Sequence, residues 1–206
     1  MDNFLYALVA LIVIVDPAGT AALFAAMTPQ DSPAERASQA RRACAIAFAV
    51  LALFGLAGEG LLRLLGIGIP AMQVAGGILL FLTAADMVTA RGALRATPAE
   101  QEAATRTNDD IAVFPLAIPL LAGPGAMTTM VVLRSRAGTN WAAVAGVELA
   151  LAVTLTLTLA ALLAATRIAR LLGETGTHVI GRVLGVLLAA LAAQITMDGV
   201  QALLAR

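Results

Sequence analysis

The chain has 206 residues, of which 60% are hydrophobic and 13% charged, and its mean hydropathy is +0.91. A soluble domain carries roughly 45–50% apolar and about 25% charged residues, so this excess does not fit inside one water-soluble core; the bilayer is its natural solvent. The formal net charge is zero, which leaves no electrostatic case for a nucleic-acid partner. Cys44 and His178 are the only residues of their kinds, which excludes an internal disulfide, a multi-cysteine metal site and a histidine cluster. No metal or cofactor is expected.

A spanning helix needs about 20 mostly apolar residues, and six segments of the chain qualify. The first covers Asn3–Met27 and is interrupted at Asp16-Pro17. It has no basic stretch before it and no small-residue cleavage pattern, so it is expected to stay in the protein. The second covers Arg42–Leu65 and the third Pro70–Ala90. The fourth covers Ile111–Leu133, with an interruption at Ala122-Gly123-Pro124-Gly125. The fifth covers Trp141–Thr166 and the sixth Val179–Leu204. The stretches Thr28–Gln39, Gly92–Asp110, Arg134–Asn140 and Arg167–Thr177 read as polar connections.

Arginine placement orients the chain. Nine Arg follow the first, third and fifth segments, and four lie on the other side. The nine belong in the cytoplasm, which makes both termini periplasmic in a bacterial inner membrane.

The chain also resembles itself. A shift of 107 residues lays Pro17 on Pro124 and Leu64-Leu65-Gly66 on Leu171-Leu172-Gly173; one further residue of slip lays Gly77 on Gly185. Leu/Ala-rich helices match by chance, so the coincidence of the two interruptions is the informative part. Three helices per half make the second half enter the membrane upside down, and inverted repeats with interrupted helices recur in transporters. The expected fold is therefore an all-α membrane protein with six transmembrane helices. It forms a single membrane domain of two inverted three-helix repeats, residues 1–95 and 111–206, joined by a cytoplasmic polar linker at 96–110.

Proline lacks an N–H and clashes with the carbonyl four residues back, so it breaks a helix. Asp before Pro also reads as an N-cap followed by the first helical position. Asp16 can thus end one half-helix and cap the next, Pro17–Met27, while Gly123-Pro124 supplies the same grammar with no side chain in the cap slot. Each second half-helix presents free N–H groups and partial positive charge, and irregular backbone at that depth survives only within protein or around an aqueous cavity. A carboxylate suits the Gly123 end, an ammonium suits Asp16, and a zwitterionic amino acid satisfies both. Asp16 has a plainer reading, in which it only caps its own helix. Thr128 either contacts a ligand or bonds its own helix carbonyl. Gln194 lies in the middle of the sixth segment, where its repeat partner is Asp86. The substrate-binding candidates are Asp16, Pro17, Gly19, Thr20, Gly123, Pro124, Gly125, Thr128 and Gln194. Gly76-Gly77 is expected to be a close-packing surface between helices.

Val-Asp-Pro-Ala-Gly at 15–19, Ala-Gly-Glu at 57–59, Gly-Gly-Ile-Leu-Leu-Phe at 76–81 and Pro-Leu-Ala-Ile-Pro-Leu-Leu-Ala-Gly-Pro-Gly at 115–125 carry a resemblance. Leu-Leu-Gly-Glu at 171–174, Arg-Val-Leu-Gly at 182–185 and Met-Asp-Gly at 197–199 extend it over the whole chain. The sequence resembles the MarC family of inner-membrane proteins, which includes small neutral amino acid transporters of the SnatA type. The resemblance implies six helices and, in that transporter branch, proton-linked movement of glycine, alanine and similar amino acids.

The expected function is a secondary transporter of small neutral amino acids that alternates access around a site at the two breaks. An exporter of another small metabolite or ion fits the breaks equally well. An intramembrane enzyme is not expected: only Asp16 lies at depth, and neither a Gly-x-Gly-Asp pattern nor a Gly-x-Ser-x-Gly elbow occurs.

Overall fold

The computed structural model describes residues 2–28, 30–89 and 111–205, which are helical throughout with short turns and no strand. The expected linker at 96–110 lies outside the described residues, as does the side chain of Asp86. Eight helical elements follow one another: α1 (Asp2–Val15), α2 (Pro17–Met27), α3 (Pro33–Leu64), α4 (Ile69–Thr89), α5 (Ala112–Leu121), α6 (Pro124–Ala137), α7 (Trp141–Leu163) and α8 (Ala165–Leu204).

Among these residues, four stretches are long and apolar enough to cross a membrane: Phe4–Ala25, Pro33–Leu64, Trp141–Leu163 and Gly185–Leu204. The other two expected spans look different. The apolar part of α4 is shorter, Ile69–Ala85, and the fourth segment is divided between α5 and α6, neither long enough alone.

Two polar stretches expected to be connections are helical instead. α3 starts at Pro33, because Ser32-Pro33-Ala34-Glu35 is a capping box: the Glu35 amide donates to Ser32 Oγ at 3.3 Å and the Ser32 amide donates to Glu35 Oε2 at 2.8 Å. Residues 167–177 belong to the single helix α8. No proline occurs between Ala165 and Leu204, and polarity alone does not stop a helix. At 1.5 Å per residue α3 and α8 run about 48 and about 60 Å, well beyond a hydrocarbon core of about 30 Å.

The helices pack in two groups. Ala7, Leu11, Val15, Phe24, Leu51, Leu121, Met130 and Leu151 belong to one buried cluster built from α1, α2, α3, α5, α6 and α7. Leu80, Ala84, Leu188, Ala192 and Ile195 form a second between α4 and α8, the most extensive helix pair in the fold. Glycine allows that close approach. A Cβ on Gly77 would lie 2.9 Å from the Ala192 carbonyl oxygen, and one on Gly199 would lie 2.8 Å from that of Pro70. Leu5, Val9, Leu53, Leu56, Ile78 and Leu82 instead turn outward and are exposed, which suits hydrocarbon and not water.

Arginines tie both ends of the bundle. At one end Arg36 of α3 donates through Nε to the Thr28 carbonyl at the close of α2 (2.9 Å) and through Nη1 to Thr166 Oγ1 of α8 (2.7 Å). At the other, Arg136 of α6 donates to Asp198 of α8 at 2.9 Å and to the Tyr6 hydroxyl of α1 at 3.3 Å.

Candidate functional site: two interrupted helices

Both expected interruptions are present, and each has its own local chemistry. At the first, the Asp16 amide closes α1 on the Ile12 carbonyl (3.0 Å), while the Asp16 carbonyl accepts from the Thr20 amide (2.9 Å) and opens α2. Pro17 has no N–H to continue the ladder. The backbone turns at Asp16 itself, at φ 45° and ψ 72°, the left-handed region that Asp tolerates better than most residues. Its side chain folds back so that Oδ1 accepts from the Gly19 amide at 3.0 Å, an N-cap bond. Gly19 makes that possible: a Cβ there would collide with the Asp16 carboxylate. The Thr20 hydroxyl donates to the Val15 carbonyl at 2.9 Å, satisfying an acceptor at the end of α1. Asp16 and Thr20 are both buried, and Pro17 is half-buried.

The second interruption begins in a different helix form. In α5 the Leu116 amide donates to the Ile111 carbonyl (3.2 Å) and the Ala122 amide to that of Ala117 (2.9 Å), a five-residue, π-type spacing. Pro115 and Pro119 remove two donors from this run, and the wider turn accommodates them. Gly123 then caps α6 with an extended backbone and no side-chain cap bond. A Cβ on Gly123 would sit 2.5 Å from the Pro119 carbonyl oxygen, so glycine is required here by space and not by its φ of −75°. Pro124 is exposed, and Gly125 packs against Leu80 of α4.

The remaining candidates are engaged elsewhere. Thr128 donates to the Pro124 carbonyl of its own helix at 2.9 Å and packs on Gly76 of α4, so Gly76-Gly77 is the close-packing surface expected of it. Gln194 is exposed and donates to Asp198 Oδ1 at 2.7 Å, which joins it to the Arg136 cluster.

The two broken helices are neighbours: α1 packs against α6, and α2 against α5. Helix α7 is unbroken and serves as a ruler for their relative depth. A Cβ on Gly146 would lie 3.8 Å from Phe4, and Thr28 is joined to Thr166 through Arg36. Asp16 lies half-way between Phe4 and Thr28, so it stands level with the stretch from Thr154 to Thr158. From the other half, Glu148 Oε1 and Met130 Cε both converge on Gly55, 2.7 and 2.8 Å from a Cβ placed there. Two turns back along α6 from Met130 is Gly123, and two turns on from Glu148 is Leu155. Both interruptions therefore stand at one level.

At that level sits a residue that periodicity does not single out. Thr154 is fully buried, yet its hydroxyl has no hydrogen-bond partner. Thr154, Thr156 and Thr158 alternate with Leu along α7 and read as ordinary threonines of an apolar helix. Only the four-residue spacing of Thr154 and Thr158, which puts them on one face, hints at more.

The profile of the MarC family integral membrane protein matches residues 1–204. This chain belongs to the MarC family. It is 36% identical over 203 residues to a "UPF0056 membrane protein" of Aquifex aeolicus, covering 98% of this chain and 94% of that one. It is 34% identical over 200 residues to a namesake from Archaeoglobus fulgidus, covering 97% and 92%. It is 32% identical over 203 residues to the "UPF0056 inner membrane protein YhgN" of Escherichia coli, covering 98% of both chains. No solved structure matches. This member of the MarC family is an integral membrane protein, with several helices long and apolar enough to span.

Proposed function

We propose that this MarC-family protein is a secondary transporter of small neutral amino acids of the glycine and alanine class, working by alternating access around the two helix interruptions. The observation that carries the reading is the pair of breaks itself, in neighbouring helices and at one depth along α7. One break holds a carboxylate and the other presents a helix N-terminus without a side-chain cap. Asp16 receives the substrate ammonium, and the first-turn amides of α6 receive its carboxylate.

Two inverted three-helix repeats are part of the proposal. The packing supports it, because the more extensive contacts occur in matched pairs: α1 on α7 with α5 on α3, α2 on α8 with α6 on α4, and α2 on α7 with α6 on α3. The pairs α3 with α7 and α4 with α8 map onto themselves, as expected for elements around a twofold pseudo-axis. Rocking of one half against the other would expose the site to each side in turn. A bacterial inner-membrane location follows the name of the relative YhgN, and periplasmic termini follow the arginine distribution. Proton coupling rests on the resemblance to the SnatA-type branch.

The test is uptake into proteoliposomes. Saturable glycine or alanine uptake that responds to an imposed pH gradient is expected. Uptake or exchange of none of the small amino acids by folded protein would overturn the proposal. Thermal stabilisation by a different metabolite or ion would redirect it to an exporter of that compound.

A further inference from the structure

Most of the described threonines share a habit, which Thr129 of α6 and Thr154 of α7 break. Thr28, Thr83, Thr128, Thr156, Thr158 and Thr196 each donate to the carbonyl four residues back, at 2.7–3.1 Å. The bond keeps a hydroxyl satisfied inside a helix at little cost. Thr154 has the same option in the Ala150 carbonyl and does not take it: its hydroxyl is buried without a partner. Thr158, one turn further along the same face and equally buried, donates instead to the Thr154 carbonyl at 2.8 Å. A buried hydroxyl left unsatisfied is costly, so one that forgoes an available bond is a candidate for a partner from outside the chain.

Thr154 stands at the level of both interruptions, on the helix that packs against α1 before the Asp16 break and against α2 after it. We propose that the Thr154 hydroxyl is a substrate ligand, donating its unplaced hydrogen to the carboxylate of the amino acid. The assignment rests on the transporter reading and adds a residue to its site. It also supplies a further donor to a carboxylate, which is acceptor-only and has about four lone-pair sites to fill.

The experiment compares Thr154→Val, Thr154→Ser and Thr158→Val in proteoliposomes, with the melting temperature of each free protein measured in detergent. Thr154→Val keeps the shape and loses the hydroxyl. It is expected to raise KM for glycine about tenfold, the loss of one hydrogen bond to a charged group, while the melting temperature of the free protein holds or rises. Thr154→Ser restores the hydroxyl and should return KM to within about twofold of wild type. Thr158→Val should leave KM unchanged, because that hydroxyl is satisfied by its own helix. An unchanged KM in Thr154→Val overturns the assignment, as does an equal rise in Thr158→Val, which would mark a packing effect. Wild-type protein that transports normally beside an unaffected Thr154→Val overturns Thr154 alone. Wild-type protein that transports no amino acid overturns the assignment together with the transporter reading.

Discussion

The two interruptions share a proline and a depth but not their electrostatics. At Asp16 the chain caps itself: the carboxylate turns back onto the Gly19 amide, and the break spans a single residue in the left-handed region. At Gly123 the chain offers no cap, and a π-type helix delivers it to an N-terminus whose cap residue has no side chain. One break thus puts a negative group at the site, and the other leaves a partial positive charge unneutralised. The contrast shows how two proline kinks can present complementary ends to a dipolar ligand, because the cap position is filled differently in each.

Removing the charge at the first break should have the largest effect. Asp16→Ala loses both a cap, worth about 1 kcal/mol, and a residue tolerant of the left-handed region, worth about 1–2 kcal/mol. Uptake should fall by about ten- to a hundredfold, the loss of a charged hydrogen bond to substrate. Asp16→Gly relieves the backbone and isolates the charge: it should melt closer to wild type yet transport as poorly as the alanine variant. Asp16→Asn, which caps and tolerates the turn, should be the mildest of the three. Wild-type kinetics in Asp16→Ala would remove the residue from the mechanism.

The glycines should come next, and they should fail for different reasons. In Gly19→Ala the new methyl displaces the Asp16 carboxylate, so the cap bond is lost although the charge remains. In Gly123→Ala the methyl meets a main-chain oxygen of Pro119, and the end of α5 has to move. Each should cost about 1–3 kcal/mol, read as a lower melting temperature. The sharper comparison is in uptake: Gly123→Ala should raise KM more, because it disturbs the terminus assigned to the substrate carboxylate.

The smallest effect separates the two threonines. Thr20→Val strips the donor from the buried Val15 carbonyl and should cost about 1–3 kcal/mol. Thr128→Val removes a bond inside its own helix and keeps the packing on Gly76, so its cost should stay under about 1 kcal/mol. Equal melting temperatures for the pair would show that the Thr20 bond across the first break adds nothing to the fold.

Both helix breaks are legible in the sequence alone. Pro17 and Pro124 announce the breaks, and Asp16 and Gly123 occupy the cap positions that their chemistry suggests. The errors also have physical causes. Residues 33–39 and 167–177 read as connections because they are polar, but a capping box starts the first helix and no proline stops the second. Gln194 is a candidate from its place in the middle of the sixth segment, but it is exposed and bonds Asp198. Its burial depends on which face of α8 meets α4, and a mixed Ala/Leu helix does not declare that face.

By itself the sequence determined the solvent, the helical class and the two points where the helices break. Each of these follows from composition or from chemistry within a few bonds: apolar side chains, a missing N–H, a carboxylate able to reach its own backbone. Only the tertiary structure decided that the broken helices are neighbours and that their breaks share one level. It alone singled out Thr154 among the threonines of α7 as the one without a bond. Those features depend on how helices far apart in sequence pack against one another, where small shifts in contact between glycine and its neighbours set the register.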